Sequence, residues 1–250
     1  AAHLCAASVG EDTGGSGRNP ASWSGVTGLR PTYGRVSRYG NMPFCWYLDI
    51  ASPMGKTVED TALILQALSG YDPKDPYTSK RAVPNYSASL TKSIKGVRIG
   101  VIQEFFSDAV DPDVRRLINE AIRVLQSLGA QIKYISIPTV KLGGSMYLTL
   151  AFPEAATVHS AILQSQTKYP SRSVRARLWA KSLFPAHVTN NALKVRALLR
   201  NDLLDAFKNV DLLLSPTTTT PAPPYYGYTE RSSAGEDSEM VSDHSRTSTV

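Results

Sequence analysis

The densest chemistry in the chain lies within residues 10–35, and its centre is Asp12-Thr13-Gly14-Gly15-Ser16-Gly17-Arg18. A hydroxyl follows two glycines, with an acid before them and a base after. Glycine has no Cβ, so it takes up φ > 0 and lets another molecule approach the backbone. Successive N–H groups in such a turn form a concave nest for a negative oxygen. With Ser16 attacking a carbonyl, the N–H groups around Gly14 and Gly15 are placed to receive the oxyanion. Losing one such donor typically costs about 3–4 kcal/mol of barrier. Gly-Gly-Ser-Gly alone also describes a flexible surface loop. Single residues exclude two other motifs. The nucleophile elbow G-x-S-x-G needs glycine where Arg18 stands, and a phosphate loop starting at Gly10 needs lysine where Ser16 stands.

The pattern extends well beyond the loop. It includes Pro20, Gly25, Gly28-Leu29-Arg30-Pro31-Thr32, Tyr33-Gly34-Arg35-Val36-Ser37, Pro53-Met54, Thr57-Val58-Glu59-Asp60 and Gly70-Tyr71-Asp72-Pro73. With the glycine-serine run, these residues resemble the amidase signature family. The resemblance implies an α/β fold, a mixed β-sheet with helices on both faces, truncated here at both ends. It implies amide hydrolysis through a Ser–cis-Ser–Lys group, with no metal or organic cofactor. Carried over residue by residue, Ser16 is the expected acyl-accepting nucleophile. The N–H groups of Thr13, Gly14, Gly15 and Ser16 are the expected oxyanion hole. Asp12 and Arg18, of opposite charge, are expected to brace the loop. Gly17 stands where the family most often has a branched aliphatic residue, which implies a more flexible loop. The family's lysine and bridging serine lie upstream of Ala1. The chain is therefore expected to be an internal fragment lacking both, with Ala1–Ala7 opening the helix that follows the bridging serine; by their own composition residues 1–9 read as a short apolar helix or strand leading into the glycine loop.

Three functions follow from the resemblance. The first is a stand-alone amidase acting on a small-molecule amide. The second is the glutaminase subunit of a tRNA-dependent amidotransferase, supplying ammonia to a partner subunit bound to tRNA. The third is an inactive fragment or interaction module, because the lysine and cis-serine are absent. In glutamine-hydrolysing relatives an arginine of a Lys-Val-Arg segment recognises the substrate's α-carboxylate, a task suited to the bidentate guanidinium fork. Here that triplet is Lys194-Val195-Arg196, which makes Arg196 a candidate substrate-binding residue. A solvated helix face is the alternative reading of the same residue. The aromatic expected shortly before it is replaced by Val188 and Thr189, a departure that favours the first function. A serine hydroxyl needs an adjacent base, and a desolvated lysine can supply one because burial lowers its pKa.

The elements that must position this chemistry are legible in part. Thr57 with Asp60 caps a helix over 57–70, with Val58, Ala62, Leu65 and Leu68 at helical spacing and Gly70 as its stop. Residues 97–102 and 131–137 read as strands. Between them a helix is capped by Asp111 with Pro112 in its first turn and carries the stripe Val114, Leu117, Ile118, Ala121, Leu125 and Leu128. Strand, helix, strand is a βαβ unit. Pro153-Glu154-Ala155-Ala156 opens a helix containing His159, and an amphipathic helix over 191–208 precedes a strand over 211–215. The aromatics of 36–56, among them Tyr39, Trp46 and Tyr47, line a pocket near the active site if the resemblance holds, or pack into the core. One amidase domain spans 1–224, and 225–250 reads as a polar, poorly ordered segment.

The totals bound the rest. A chain of 250 residues, 42% hydrophobic and 19% charged, has ordinary globular composition. Its net charge of +6 is spread thinly, with basic patches at 172–181 and 194–200, unlike the clustered face of a nucleic-acid binder. Cys5 and Cys45 lack metal-ligand spacing and are expected to be buried free thiols in a reducing, cytoplasmic compartment. No stretch is long and apolar enough to span a bilayer. His3, His159, His187 and His244 show no metal pattern. A Ser-His-Asp triad can assemble from distant positions, but the resemblance predicts a lysine base. Ser89–Lys92 and Ser165–Lys168 match S-x-x-K without its partner motifs.

Overall fold

The computed structural model describes residues 2–90, 93–165 and 171–224. The segment 225–250, Lys92, Lys168 and His244 therefore lie outside the described residues. In chain order the elements are strand β1 (Ala7–Asp12), helix α1 (Arg18–Trp23), β2 (Thr27–Gly28), β3 (Ile50–Gly55), α2 (Val58–Leu68), β4 (Arg98–Ile102) and α3 (Pro112–Ser127). They continue with β5 (Gln131–Ile135), α4 (Gly143–Val158), α5 (Ser160–Gln164), α6 (Arg172–Ser182), α7 (Ala186–Ala206) and β6 (Leu212–Leu214). The α/β class holds. Two compact units are formed, one from Ala1–Lys92 and Ala151–Leu183, the other from Ser93–Leu150 and Phe184–Val250.

The first unit holds an antiparallel sheet in the order β1-β3-β2. Its register runs from Ala7 opposite Gly55 to Asp12 opposite Ile50. Thr13, one residue past β1, therefore comes beside Asp49, one residue before β3. Helix α2 starts as its sequence predicts. The Thr57 hydroxyl accepts from the Asp60 N–H at 3.0 Å, and an Asp60 carboxylate oxygen accepts from the Thr57 N–H at 3.0 Å. Ala62 and Leu65 are buried with Val36 and Ala51, while Val58 stays exposed. A second core gathers Ala155, Ala156, Leu163 and Leu178, and Phe44 and Phe152, edge-to-face with each other, pack against it.

Three expectations fail in this unit. Of the two readings of residues 1–9 the strand holds from Ala7, where β3 offers a hydrogen-bonding partner, and the helix implied by the resemblance is not formed over residues 2–6. The same unpaired segment leaves Cys5 exposed, whereas Cys45 is buried as expected; both are free thiols. Pro153 lies inside α4 rather than opening a helix, and His159 stands at the break before α5. Proline there removes one ladder bond, and the helix persists because Ala151, Ala155 and Ala156 are buried around it.

The second unit holds a parallel sheet in the order β5-β4-β6. Ile99 pairs with Ile132 on one side and Leu212 on the other. The βαβ unit is present, with the Asp111 carboxylate accepting from the Asp113 N–H at 2.8 Å and Gly129 at φ +91° past the helix end. The packed face of α3 differs from the predicted stripe. Ile122 is its buried residue, Val114, Ile118 and Leu125 are half-buried, and Leu117, Ala121 and Leu128 are exposed. A stripe wider than the surface it covers leaves one flank in water.

Candidate active site

Asp12 anchors the site. It ends β1, is fully buried, and accepts from every side. Its Oδ1 takes the Gly15 N–H at 2.7 Å and its Oδ2 takes the Gly17 N–H at 3.3 Å. Arg18 grips both oxygens, with Nε at 2.9 Å and a terminal nitrogen at 3.2 Å. The Arg30 guanidinium bonds the Asp12 main-chain carbonyl, reaches Oδ1 at 3.1 Å and donates to the Leu48 carbonyl at 2.6 Å. Burial alone would raise the Asp12 pKa. The hydrogen bond and charge of Arg18, the Gly15 N–H and the charge of Arg30 outweigh it and hold the carboxyl below its ordinary value.

Such clamping winds the loop tightly around one carboxylate. Gly15 sits at φ +119°, where a side chain would be strained, and is buried. Its carbonyl accepts from the N–H groups of Arg18 and Asn19 at 3.0 and 2.8 Å, which starts α1. Ser16 is left exposed at the crest between two buried glycines. Thr13 is fixed separately: its hydroxyl donates to Asp49 Oδ1 at 2.6 Å, while Asp49 Oδ2 accepts from the Phe44 and Cys45 N–H groups at 2.7 and 2.8 Å.

Two of the expected details change. The Gly15 N–H donates to Asp12, so among the four expected oxyanion donors it is committed to the acid. Gly17 does not loosen the loop. It is buried, and a Cβ built on it would lie 2.0 Å from Ser52 Oγ and 2.5 Å from Ser52 Cβ. The missing side chain makes room for a neighbour on β3. Arg196 belongs to the second unit and is exposed on α7, where Ala192 and Leu199 are the buried residues.

Four residues of the site were not singled out from the sequence: Glu11, Arg30, Asp49 and Ser52. Asp49 did carry a signal, because an acid between Leu48 and Ile50-Ala51 has to be buried and satisfied. Arg30 lay inside the quoted motif, but its reach back to Asp12 depends on the pairing of β2 with β3.

Tyr39, Pro43 and Trp46 line a cavity of about 180 Å³ together with Glu11, Arg38, Asp49, Lys74 and Asp75. Tyr39 and Trp46 thus form a pocket wall, whereas Tyr47 is exposed outside the lining and Phe44 packs against a core. The loop that carries Trp46 is held by Glu154, whose carboxylate accepts from the Trp46 N–H at 2.6 Å and the Cys45 thiol at 3.1 Å. Burial, reinforced by Glu154, pushes the Cys45 thiol pKa well up, so this cysteine stays protonated.

Burial raises the Glu11 carboxyl from 4.5 to about 7, with the Asp49 carboxylate adding to the shift and Arg38 opposing it. An unfolded chain would release that proton near 4.5. Between about 4.5 and 7, rising pH therefore favours the unfolded state. Glu11→Gln is expected to melt at the same temperature as the wild type near pH 4 and at a higher one at pH 8. A gap that opens on the acid side instead would overturn the assignment.

Among the described residues no helix is long and apolar enough to cross a membrane, and no group of three or more His, Cys, Asp or Glu is placed to hold a metal ion. Comparison with known proteins gives consistent relatives. The glutamyl-tRNA(Gln) amidotransferase A subunit of Pseudomonas syringae pv. syringae is 39% identical over 246 residues, covering 89% of this chain and 51% of that protein. The crystal structure of the same-named protein from Thermotoga maritima superposes with a TM-score of 0.79 at 29% identity, covering 98% of this chain and 52% of the other. A chain described in connection with the origins of an s-triazine catabolic enzyme gives 0.80 at 31% identity, over 88% and 48%. The chain spans about half the length of the curated relatives it matches. A family model described as Amidase matches residues 1–248, and the chain belongs to that family.

Proposed function

We propose that this protein hydrolyses a carboxamide through an acyl-enzyme on Ser16. The observation that carries the reading is the exposed hydroxyl of Ser16 on a loop whose backbone is locked around the buried Asp12 carboxylate. Preorganised donors are worth most when they need not reorganise during the reaction. Ser16 Oγ attacks the amide carbon and its proton passes to a base. The new oxyanion rests on N–H groups of the 13–16 run. The C–N bond then breaks, the leaving nitrogen takes the proton, and ammonia or an amine departs. Water cleaves the resulting ester and returns the serine. By the family resemblance the base is a lysine acting through a cis-serine. The reaction fits a cytoplasmic enzyme.

A fluorophosphonate probe tests the nucleophile directly. Labelling at Ser16, read by intact mass and lost in Ser16→Ala, is the expected result for a chain that includes the upstream lysine and cis-serine. Silence in that longer chain would sink the reading.

The glutaminase role in a tRNA-dependent amidotransferase is the second reading, favoured by the identity to amidotransferase A subunits. It implies partner subunits and tRNA, with Arg196 taking the substrate carboxylate. Strict preference for glutamine and asparagine over other amides would select it, and loss of that preference in Arg196→Ala would assign the residue.

A further inference from the structure

The cavity beside the oxyanion loop has a lining out of balance with itself. Glu11, Asp49 and Asp75 contribute three carboxyl groups, against the cations of Arg38 and Lys74. Most of these are engaged. Asp49 takes three hydrogen bonds. Asp75 takes the Arg38 and Tyr77 N–H groups at 2.9 and 3.1 Å and lies 3.7 Å from Arg38 Nε. The Arg38 guanidinium bonds the Trp46 carbonyl and sits over the rings of Tyr33, Trp46 and Tyr77 at 4.6, 5.1 and 5.8 Å. Lys74 lies 5.0 Å over the Tyr39 ring. Two atoms are left over: Glu11 Oε1 and Arg38 Nε are both buried with no hydrogen-bond partner among the described residues, and Glu11 Oε1 is the acceptor of the two.

We propose that this cavity is the subsite for a cationic nitrogen, a primary ammonium or guanidinium, carried by the amide substrate. The assignment rests on the amidase reading above. A ligand cation would bond the orphaned Glu11 oxygen and leave the five charged groups neutral in sum. Aromatic rings line it too, but Lys74 already lies over Tyr39 and Arg38 over Trp46, so the Glu11 carboxylate supplies the attraction for the ligand. The position also suits a substrate tail. Glu11 lies next to Asp12 on β1, and Asp49 reaches from the cavity to Thr13 of the oxyanion loop. The groups facing Glu11 are Asp49 before β3, Arg38 and Tyr39 from the loop between β2 and β3, and Lys74 and Asp75 from the loop after α2. Among them only Glu11 has both a free oxygen and a proton held by burial. Entry of a cation would release that proton.

Titration of the full 250-residue chain with n-butylammonium, 1-butanol and butyrate tests the subsite without turnover. At pH 8 the cation is expected to bind about tenfold tighter than the alcohol. At pH 6 its binding should release a proton, seen as a buffer-dependent heat. Glu11→Gln should reduce n-butylammonium to the affinity of 1-butanol and leave 1-butanol unchanged. Equal affinity for the alcohol, tighter binding of butyrate, or no effect of Glu11→Gln would each overturn the proposal. Should Glu11→Gln fail to fold, Glu11→Asp carries the test: a carboxylate withdrawn by one methylene should lose n-butylammonium affinity and leave 1-butanol unchanged. Binding of the cation by this chain, with Ser16 silent in the longer chain that includes the lysine and cis-serine, would keep the subsite and remove the amidase reading. Labelling without cation binding would do the reverse.

Discussion

Asp12→Ala is expected to cost about 3–5 kcal/mol of folding stability, the range for breaking a buried ion pair by removing one partner. The carboxylate is fully buried and two guanidinium groups converge on it. Its removal leaves Arg18 and Arg30 facing each other with no anion between them. The Gly15 and Gly17 N–H groups lose their acceptor at the same time. Asparagine does not repair the site. Its amide nitrogen is a donor and would face either the Gly15 side or the Gly17 and Arg18 side, both of which already donate. Urea unfolding gives the number, and a cost under about 1 kcal/mol with unchanged slope would contradict the clamp.

The same carboxylate sets an acid limit. Its folded pKa lies below the unfolded value of 3.8, so it contributes stability above that pH and loses it as pH falls through the folded value. Asp12→Ala should therefore unfold less steeply with acid than the wild type, from a lower starting stability. Serine chemistry responds separately. Gly15 holds φ +119° with its N–H fixed by Asp12. Once that bond is gone, Ser16 labelling should fall even under conditions where the variant stays folded.

Chemistry was more legible in the chain than packing. Asp12, Arg18 and Ser16 stood out by type and spacing, and the clamp between Asp12 and Arg18 follows from opposite charges six residues apart on a glycine turn. Helix α2 announced itself through Thr57 and Asp60, because a capping box is a local signal. What sequence could not show depends on register. Asp49 and Ser52 meet the loop because β3 runs antiparallel to β1 with Ile50 opposite Asp12. A shift of one residue would turn both side chains away. The Glu11 cavity was hidden for the same reason, since its walls come from residues 11, 38–49 and 74–76. On α3 the period was right and the facing was not. Helical spacing marks an apolar stripe, but the neighbouring strands decide which edge of it is covered.

Gly17 decides between two accounts of the loop by the sign of one substitution. If the glycine were there for flexibility, Gly17→Ala would stabilise the protein by about 0.4–1 kcal/mol, because alanine restricts the unfolded chain. The backbone at Gly17 would allow it, at φ −89° and ψ −34°. The contact with Ser52 forbids it. A Cβ placed 2.0 Å from Ser52 Oγ forces that hydroxyl off the Leu29 carbonyl, which it reaches at 2.8 Å, or pushes β3 away from the loop. Overpacking of this kind costs about 1–3 kcal/mol, and Gly17→Ile should exceed Gly17→Ala. The test is a double-mutant cycle. Ser52→Gly alone loses one hydrogen bond, about 1 kcal/mol. In its presence Gly17→Ala should cost nearly nothing, giving a coupling of about 2 kcal/mol between the sites. Additive costs would mean that the two residues do not compete for space. With a coupling of this size the Ser16 loop is held by two matched fits, Asp12 against its donors and Gly17 against Ser52.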